Sequence, residues 1–197
     1  MNMLDKDYSY DDLVRWGALQ LYGETQVRGW FGPRPRKTIS DTLALPAPPS
    51  IVFWAVMRPE LLDERLLHGL AVDLALAVLA RIRNDGRYID FRSERVLATK
   101  RAWVLEQISL GELSSAVLSA ERARIDVAEL PDETVWLGAK AAVQASGADG
   151  RVAFSDVYYT ALEHDASVSN ARAILDGVKA SLGVAESHWS MRHNSGG

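Results

Sequence analysis

The 197-residue chain carries 22 basic and 26 acidic side chains, a net charge of −4, and no cysteine. That balance excludes a general polyanion binder, so a nucleic-acid role would need a local basic patch. It also excludes disulfides and thiolate metal centres, and it is compatible with a reducing cytosol. At 48% hydrophobic and 24% charged residues the composition is that of an ordinary globular protein with enough chain for one good core.

Ser9 and Asp12 have the spacing of a capping box and open a helix expected over 10–22, with Leu13, Trp16, Leu19 and Leu21 as its apolar stripe and Gly23 as its stop. Residues 24–50 read as a long, irregular, proline-rich loop. Pro33, Pro35, Pro46, Pro48 and Pro49 each remove a donor and bias the preceding residue to extended geometry. Only a helical turn near 40–43 is expected there. Ile51 to Met57 is a short apolar run assigned to helix, because no second convincing strand exists to pair with it. Arg58-Pro59 ends it.

A central helix is predicted over 60–83. Pro59 suits its first position, and Glu60, Asp63 and Glu64 suit the positive end of the macrodipole. From Leu70 to Ile82 its apolar residues fall all round the wheel, the pattern of a helix buried on every side, and Asn84-Asp85-Gly86 stops it. Ser93 then caps a helix expected over 94–107, with Val96, Leu97, Trp103 and Val104 facing inward and Lys100 and Arg101 outward. Ser109 and Glu112 form a second capping box for a helix to about residue 125, whose stripe is Leu113, Ala116, Val117 and Ala120. Pro131-Asp132-Glu133 opens a helix to Ala145, closed by Gly147. Helices over 152–163 and 169–182 follow, Gly183 stops the last, and residues 184–197 are expected to be a flexible tail. The sum is an all-α fold: a helical bundle of about seven helices around a central apolar helix, with one irregular proline-rich loop. It is read as a single helical domain over residues 1–183.

Asp73 is the sharpest anomaly in that bundle. A carboxylate inside a dry core needs a partner or a proton, so it is a candidate buried polar group: structural (paired with an Arg or a tryptophan N–H), an acid–base residue, or a sign that the helix partly opens to a groove. Gly69, Ala77 and Ala80 on its face would let a neighbouring helix approach closely. The second candidate is the segment 28–37. There Arg28, Arg34, Arg36 and Lys37 are interleaved with Trp30 and Phe31, which reads as a solvated loop with the two rings tucked into the bundle, as a protein interface, or as a nucleic-acid contact. The six tryptophans, Trp16, Trp30, Trp54, Trp103, Trp136 and Trp189, are dispersed, which reads as one core anchor per element. His164 reads as a cation at a helix C-terminus, and neither it nor His68, His188 and His193 has the spacing of a preformed metal site. No glycine loop or nucleophile elbow is present, so no metal, cofactor or catalytic residue is expected. The longest apolar stretch, Leu70 to Ala80, is interrupted by Asp73 and is far short of the roughly 20 residues a membrane helix needs. The polar, acidic start, Met1 to Asp12, has no signal pattern, so a cytoplasmic location is expected.

Several stretches carry a resemblance. Leu62-Asp63-Glu64-Arg65-Leu66 leads into the apolar helix. Asp90-Phe91-Arg92-Ser93 precedes a helix ending in Arg101-Ala102-Trp103. Ile108-Ser109-Leu110-Gly111-Glu112-Leu113 is followed by Ser115-Ala116 and Ala120. Together, residues 61–123 resemble a family of all-helical bacterial immunity proteins of polymorphic-toxin systems, with Gln107 standing where that family usually has glycine. The resemblance implies a small cytoplasmic protein without catalytic residues that binds and blocks another protein. The leading expectation is therefore a non-enzymatic inhibitor of a protein partner, in an immunity role or as a phage-type inhibitor of a defence factor. A nucleic-acid-associated protein using the basic aromatic segment is the alternative. Homodimerisation through the apolar helices is open as well.

Overall fold

The computed structural model describes residues 3–194, with side chains for residues 3–167 and 169–183. It is all-α: among the described residues there are eleven helices and one two-stranded sheet. The chain falls into two compact units where the sequence reading draws one domain. The first runs to Leu62 and includes the chain from Leu175 onward, and the second is Asp63–Ile174.

In the first unit a 3₁₀ turn at Met3–Asp5 leads into β1 (Asp7–Ser9), α1 (Tyr10–Arg15), α2 (Ala18–Tyr22) and α3 (Glu24–Phe31). Then come β2 (Arg36–Thr38), α4 (Ile39–Leu43) and α5 (Pro49–Val56). The Ser9 capping box forms as read: the Asp12 N–H donates to Ser9 Oγ at 3.2 Å and the Ser9 N–H to Asp12 Oδ2 at 2.8 Å. The expected helix over 10–22 is broken at Gly17, whose φ of 91° lies in the left-handed region that glycine adopts without strain.

The irregular loop over 24–50 is a correction. Its prolines are confined to the connections and to the first position of α5, so α3 forms before the first of them and β2 and α4 form between Pro35 and Pro46. Thr38 and Asp41 make another capping box at the start of α4. The absence of strands is a second correction. β1 and β2 pair antiparallel, with Tyr8 opposite Lys37 and Ser9 opposite Arg36. Three-residue strands brought together by a long-range contact carry no readable period-2 pattern. The pairing places Tyr8 in the core, where its hydroxyl meets Thr42 Oγ1 at 2.6 Å and burial pushes the phenol up to about 12. Lys6 Nζ donates to the Leu61 carbonyl at 2.8 Å, tying the first turn to the end of the unit.

The second unit consists of α6 (Glu64–Asn84), α7 (Phe91–Val104), α8 (Leu110–Ala128), α9 (Glu133–Ala145), α10 (Gly150–His164) and the start of α11 (Val168–Asn194). α6 is central, packing against α7, α9 and α10, while α8 packs on α7 and α9. It starts later than read because Asp63, not Pro59, forms the boundary: its carboxylate caps the helix by accepting from the Arg65 N–H at 2.9 Å. α7 likewise starts earlier than read. Asp90 is its cap, accepting from the Arg92 N–H at 2.8 Å, and Ser93 is buried within the helix. The Ser109–Glu112 capping box forms as read, and α8 runs on to Ala128.

Two glycines set helix separations. A Cβ on Gly138 of α9 would stand 3.0 Å from Ile82 Cδ1, and one on Gly150 would stand 2.9 Å from the Glu64 carbonyl oxygen, His68 N and Leu67 Cβ. Gly150 therefore lets the start of α10 lie directly on α6. At the other end of the chain α11 continues through Gly183 to Asn194, where a stop and a flexible tail were expected. A glycine inside a helix costs only about 1 kcal/mol and does not by itself end one. Residues 195–197 of that expected tail lie outside the described residues.

Candidate functional site

The segment 28–37 is largely engaged inside the first unit. Phe31 is buried against Tyr8 and Tyr10, with ring centroids 6.1 and 6.0 Å away. Trp30 is half-buried, edge-on to Tyr22 at 5.2 Å, and Tyr22 in turn meets Trp54 at 5.5 Å. The three arginines have carboxylate partners. Arg28 pairs with Glu24 at 2.8 Å and lies over the Tyr10 ring, Arg34 pairs with Asp41 at 3.3 Å, and Arg36 grips Asp7 across the strand pair. Lys37 lies within β2, its side chain half-buried against the aromatic cluster. The segment is thus helix, turn and strand, with its rings turned inward and its guanidiniums locally neutralised, and presents no free basic stripe.

The tryptophans are not one per element in isolation. Trp16 and Trp54 both stack on the buried Arg58, whose guanidinium carbon lies 5.4 and 4.3 Å from their ring centroids and which donates to the Trp16 carbonyl at 2.6 Å. That cluster organises the first unit. In the second unit Trp136 packs on Val127, Val135 and Ala139, and Trp103 stands against the buried His68 and Lys100. The side chains of Trp189, His188 and His193 lie outside the described residues.

Asp73 is not buried. It sits on a half-exposed face of α6 with Gly69, Ala77 and Ala80, and it forms an ion pair with Arg101 of α7. The reading failed because alanine and glycine count as apolar in a periodicity argument yet lose little when left in water. The pairing with Arg101 braces α6 against α7.

The buried ionisable groups of the second unit are elsewhere. Lys100, read as outward-facing, is 2% exposed. Its Nζ donates to the Gly147 carbonyl at 2.9 Å and lies 4.2 Å from the Trp103 ring centroid. Burial pushes this ammonium down to about 8, with Glu64 partly opposing the shift. His68 of α6 is 1% exposed, and burial, aided by the Lys100 charge, lowers its pKa and keeps the imidazole neutral. Its Nε2 lies 3.5 Å from Glu64 Oε1, which also accepts from the Gly150 N–H at 2.5 Å. The cluster pins the turn between α9 and α10 onto α6 and α7. Within it His68 and Lys100 are buried while Glu64 is half-exposed, and the hydrogen bonds serve as a brace between the turn and the two helices.

The surface offers a different feature. Leu110, Leu118 and Ile125 of α8 are 65%, 64% and 61% exposed. At about 100° per residue they fall within roughly 80° of one another, and from end to end they run about 22 Å. Leu113, Ala120, Ala123 and Val127 on the other side of the same helix are buried. α8 therefore has two apolar faces, one in the core and one in water. Two further exposed apolar residues lie close to the ends of α8. Leu105, between α7 and α8, is exposed near Leu110 in sequence. Exposed Phe91 opens α7, whose first turn is held to the last turn of α8 by Arg92 Nη1 and Asp126 Oδ2 at 2.7 Å. Sequence reasoning missed this ridge by assigning α8 a single stripe. The available signal was the seven-to-eight-residue spacing of three large aliphatics off that stripe.

Beside the ridge lies an open groove of about 330 Å³. Val117 and Glu121 of α8 form one wall, the end of α9 and its following turn the floor, and Val152 and Asp156 of α10 the other wall. No residue lining it is basic. Three carboxylates, from Glu121, Asp149 and Asp156, stand around it. Among the described residues no group of His, Asp and Glu side chains is arranged to hold a metal ion, and no helix is long and apolar enough to cross a membrane.

No family model matches the chain, and neither a curated protein nor a solved structure matches it.

Proposed function

We propose that this protein acts by binding another protein, non-enzymatically, and that its contact surface is the outer face of α8. The observation that carries this reading is the row of Leu110, Leu118 and Ile125, each more than 60% exposed on a helix whose opposite side is already buried. Three large aliphatics on one exposed arc, interspersed with Ser114 and Glu121, contribute nothing to the core, and together they offer apolar anchors to a partner. The resemblance of residues 61–123 to immunity proteins covers the same helices and supports the same class of action: sequestering a partner and blocking its activity, as an immunity protein or as a phage-type inhibitor. The nucleic-acid alternative draws no support from the basic segment, whose three arginines are each engaged by a carboxylate.

The test is the double substitution Leu118→Asp, Ile125→Asp. Both side chains are exposed, so folding stability should change by no more than about 0.5 kcal/mol. Partner affinity should fall by at least a hundredfold, as for loss of an interface anchor. A partner that binds wild type and this variant equally well would remove α8 from the account.

A further inference from the structure

We infer that the partner segment that docks on α8 is a basic amphipathic helix, which lays aliphatic side chains along the ridge and inserts a lysine or arginine into the adjoining groove. This inference rests on the protein-binding reading and adds the chemistry of the partner. The groove has two kinds of wall. Val117, Val143 and Val152 supply aliphatic surface, and Glu121, Asp149 and Asp156 supply negative charge. A long cationic side chain has the matching form, an apolar stem ending in a charge, and such chains lay their methylenes on apolar surface while the head group meets carboxylates. A neutral or acidic side chain would bring no charge partner to these three carboxylates.

Some of the local charge is already committed. Glu121 shares its carboxylate with Arg124 at 2.9 Å, and Asp149 Oδ1 caps α10 by accepting from the Val152 N–H at 2.8 Å. A second charged donor can still join each of them, because a carboxylate has about four acceptor sites. Asp156 is exposed on the α10 wall. The ridge and the groove share α8: Glu121 is one turn from Leu118 and Ile125, so a single helix laid along α8 reaches both. A ridge of about 22 Å matches a partner helix of about 15 residues.

The experiment uses the full-length protein and two synthetic helical peptides of about 15 residues with the same leucine face. One has lysines flanking that face and the other glutamates. Binding is followed by fluorescence anisotropy at low and high salt, to wild type, to the groove variant Glu121→Lys, Asp156→Lys, and to the ridge variant Leu118→Asp, Ile125→Asp. The inference expects the lysine peptide to bind wild type at least tenfold more tightly than the glutamate peptide, to weaken with salt, and to lose at least tenfold on the groove variant. Equal binding of both peptides to wild type, lost on the ridge variant and retained on the groove variant, would overturn the basic-partner inference and leave the docking face intact. Binding of neither peptide, or binding that the ridge variant does not reduce, would overturn both.

Discussion

Replacing Lys100 with Met tests the internal electrostatics of the second unit. The stem of the side chain is replaced by one of similar length, and the charge is removed. In the folded protein the ammonium is displaced from its ordinary 10.5 to about 8. At roughly 1.36 kcal/mol per unit, that displacement means the buried charge costs about 3 kcal/mol at neutral pH relative to the unfolded chain. Against this stand the hydrogen bond to the Gly147 carbonyl, worth about 1 kcal/mol, and the contact with the Trp103 ring, worth about 1–2 kcal/mol, both of which Met forfeits. The variant should therefore be about as stable as wild type at pH 7, or up to about 1 kcal/mol more stable. The dependence on pH discriminates better. Between pH of about 8 and 10.5 the unfolded chain binds more protons at this position than the folded one, so wild-type stability should rise through that window as the penalty is relieved. Tyrosines titrate nearby, and Tyr8, raised to about 12, pulls stability down above its unfolded value of 10.0. Those contributions are common to both proteins and cancel in the difference. Chemical denaturation at a series of pH values should show wild type gaining about 3 kcal/mol on the variant from pH 7.5 to 10.5, so that it becomes the more stable of the two. Parallel curves would refute the reasoning, because they would mean that Lys100 is as well hydrated folded as unfolded.

Gly150→Ala should destabilise the protein by about 2 kcal/mol or more, since the new methyl meets two backbone atoms of α6 and Leu67 Cβ at 2.9 Å and the backbone cannot yield as a flexible side chain would. A thermal melt measures the loss, and a melt within a degree of wild type would show that α10 does not rest on α6 as described. Arg58→Met should cost about 2–3 kcal/mol, from two ring contacts and the bond to the Trp16 carbonyl, and should flatten the near-ultraviolet circular dichroism contributed by Trp16 and Trp54. An unchanged spectrum would contradict the stacking of these rings on the guanidinium.

What was legible in the sequence was what is local. The two expected capping boxes, at Ser9–Asp12 and Ser109–Glu112, depend on residues three apart and form as read. The boundaries of α9, and the stop of α6 near Asp85, follow from the same short-range signals. The capping box at Thr38–Asp41 carried the same signal but was obscured by the prolines around it. What was not legible depends on contacts distant in the chain. Lys100 is buried because a carbonyl 47 residues later closes over it, and no helical period announces that. Asp73 is half-exposed because the small residues around it tolerate solvent. β1 and β2 are defined by each other across 29 residues. The inward packing of Trp30 and Phe31 was one of the readings open for the segment 28–37, but the rings that engage them, Tyr8, Tyr10 and Tyr22, come from earlier elements and could not be named from the spacing. The ridge on α8 was written in the sequence all along, but an apolar stripe was read as core, and only the packing of the opposite face shows which stripe remains in water.

The central claim, that the outer face of α8 is where this protein meets its partner, is tested most directly by a photo-reactive amino acid placed in turn at Leu118, at Ile125 and at the exposed Ala77 of α6, with cross-linking in the cells that express the protein. The account predicts one discrete cross-linked protein from Leu118 and Ile125, competed away by excess unlabelled wild type and absent from Ala77. Cross-linking from Ala77 at equal yield, or none from either position on α8, would contradict it.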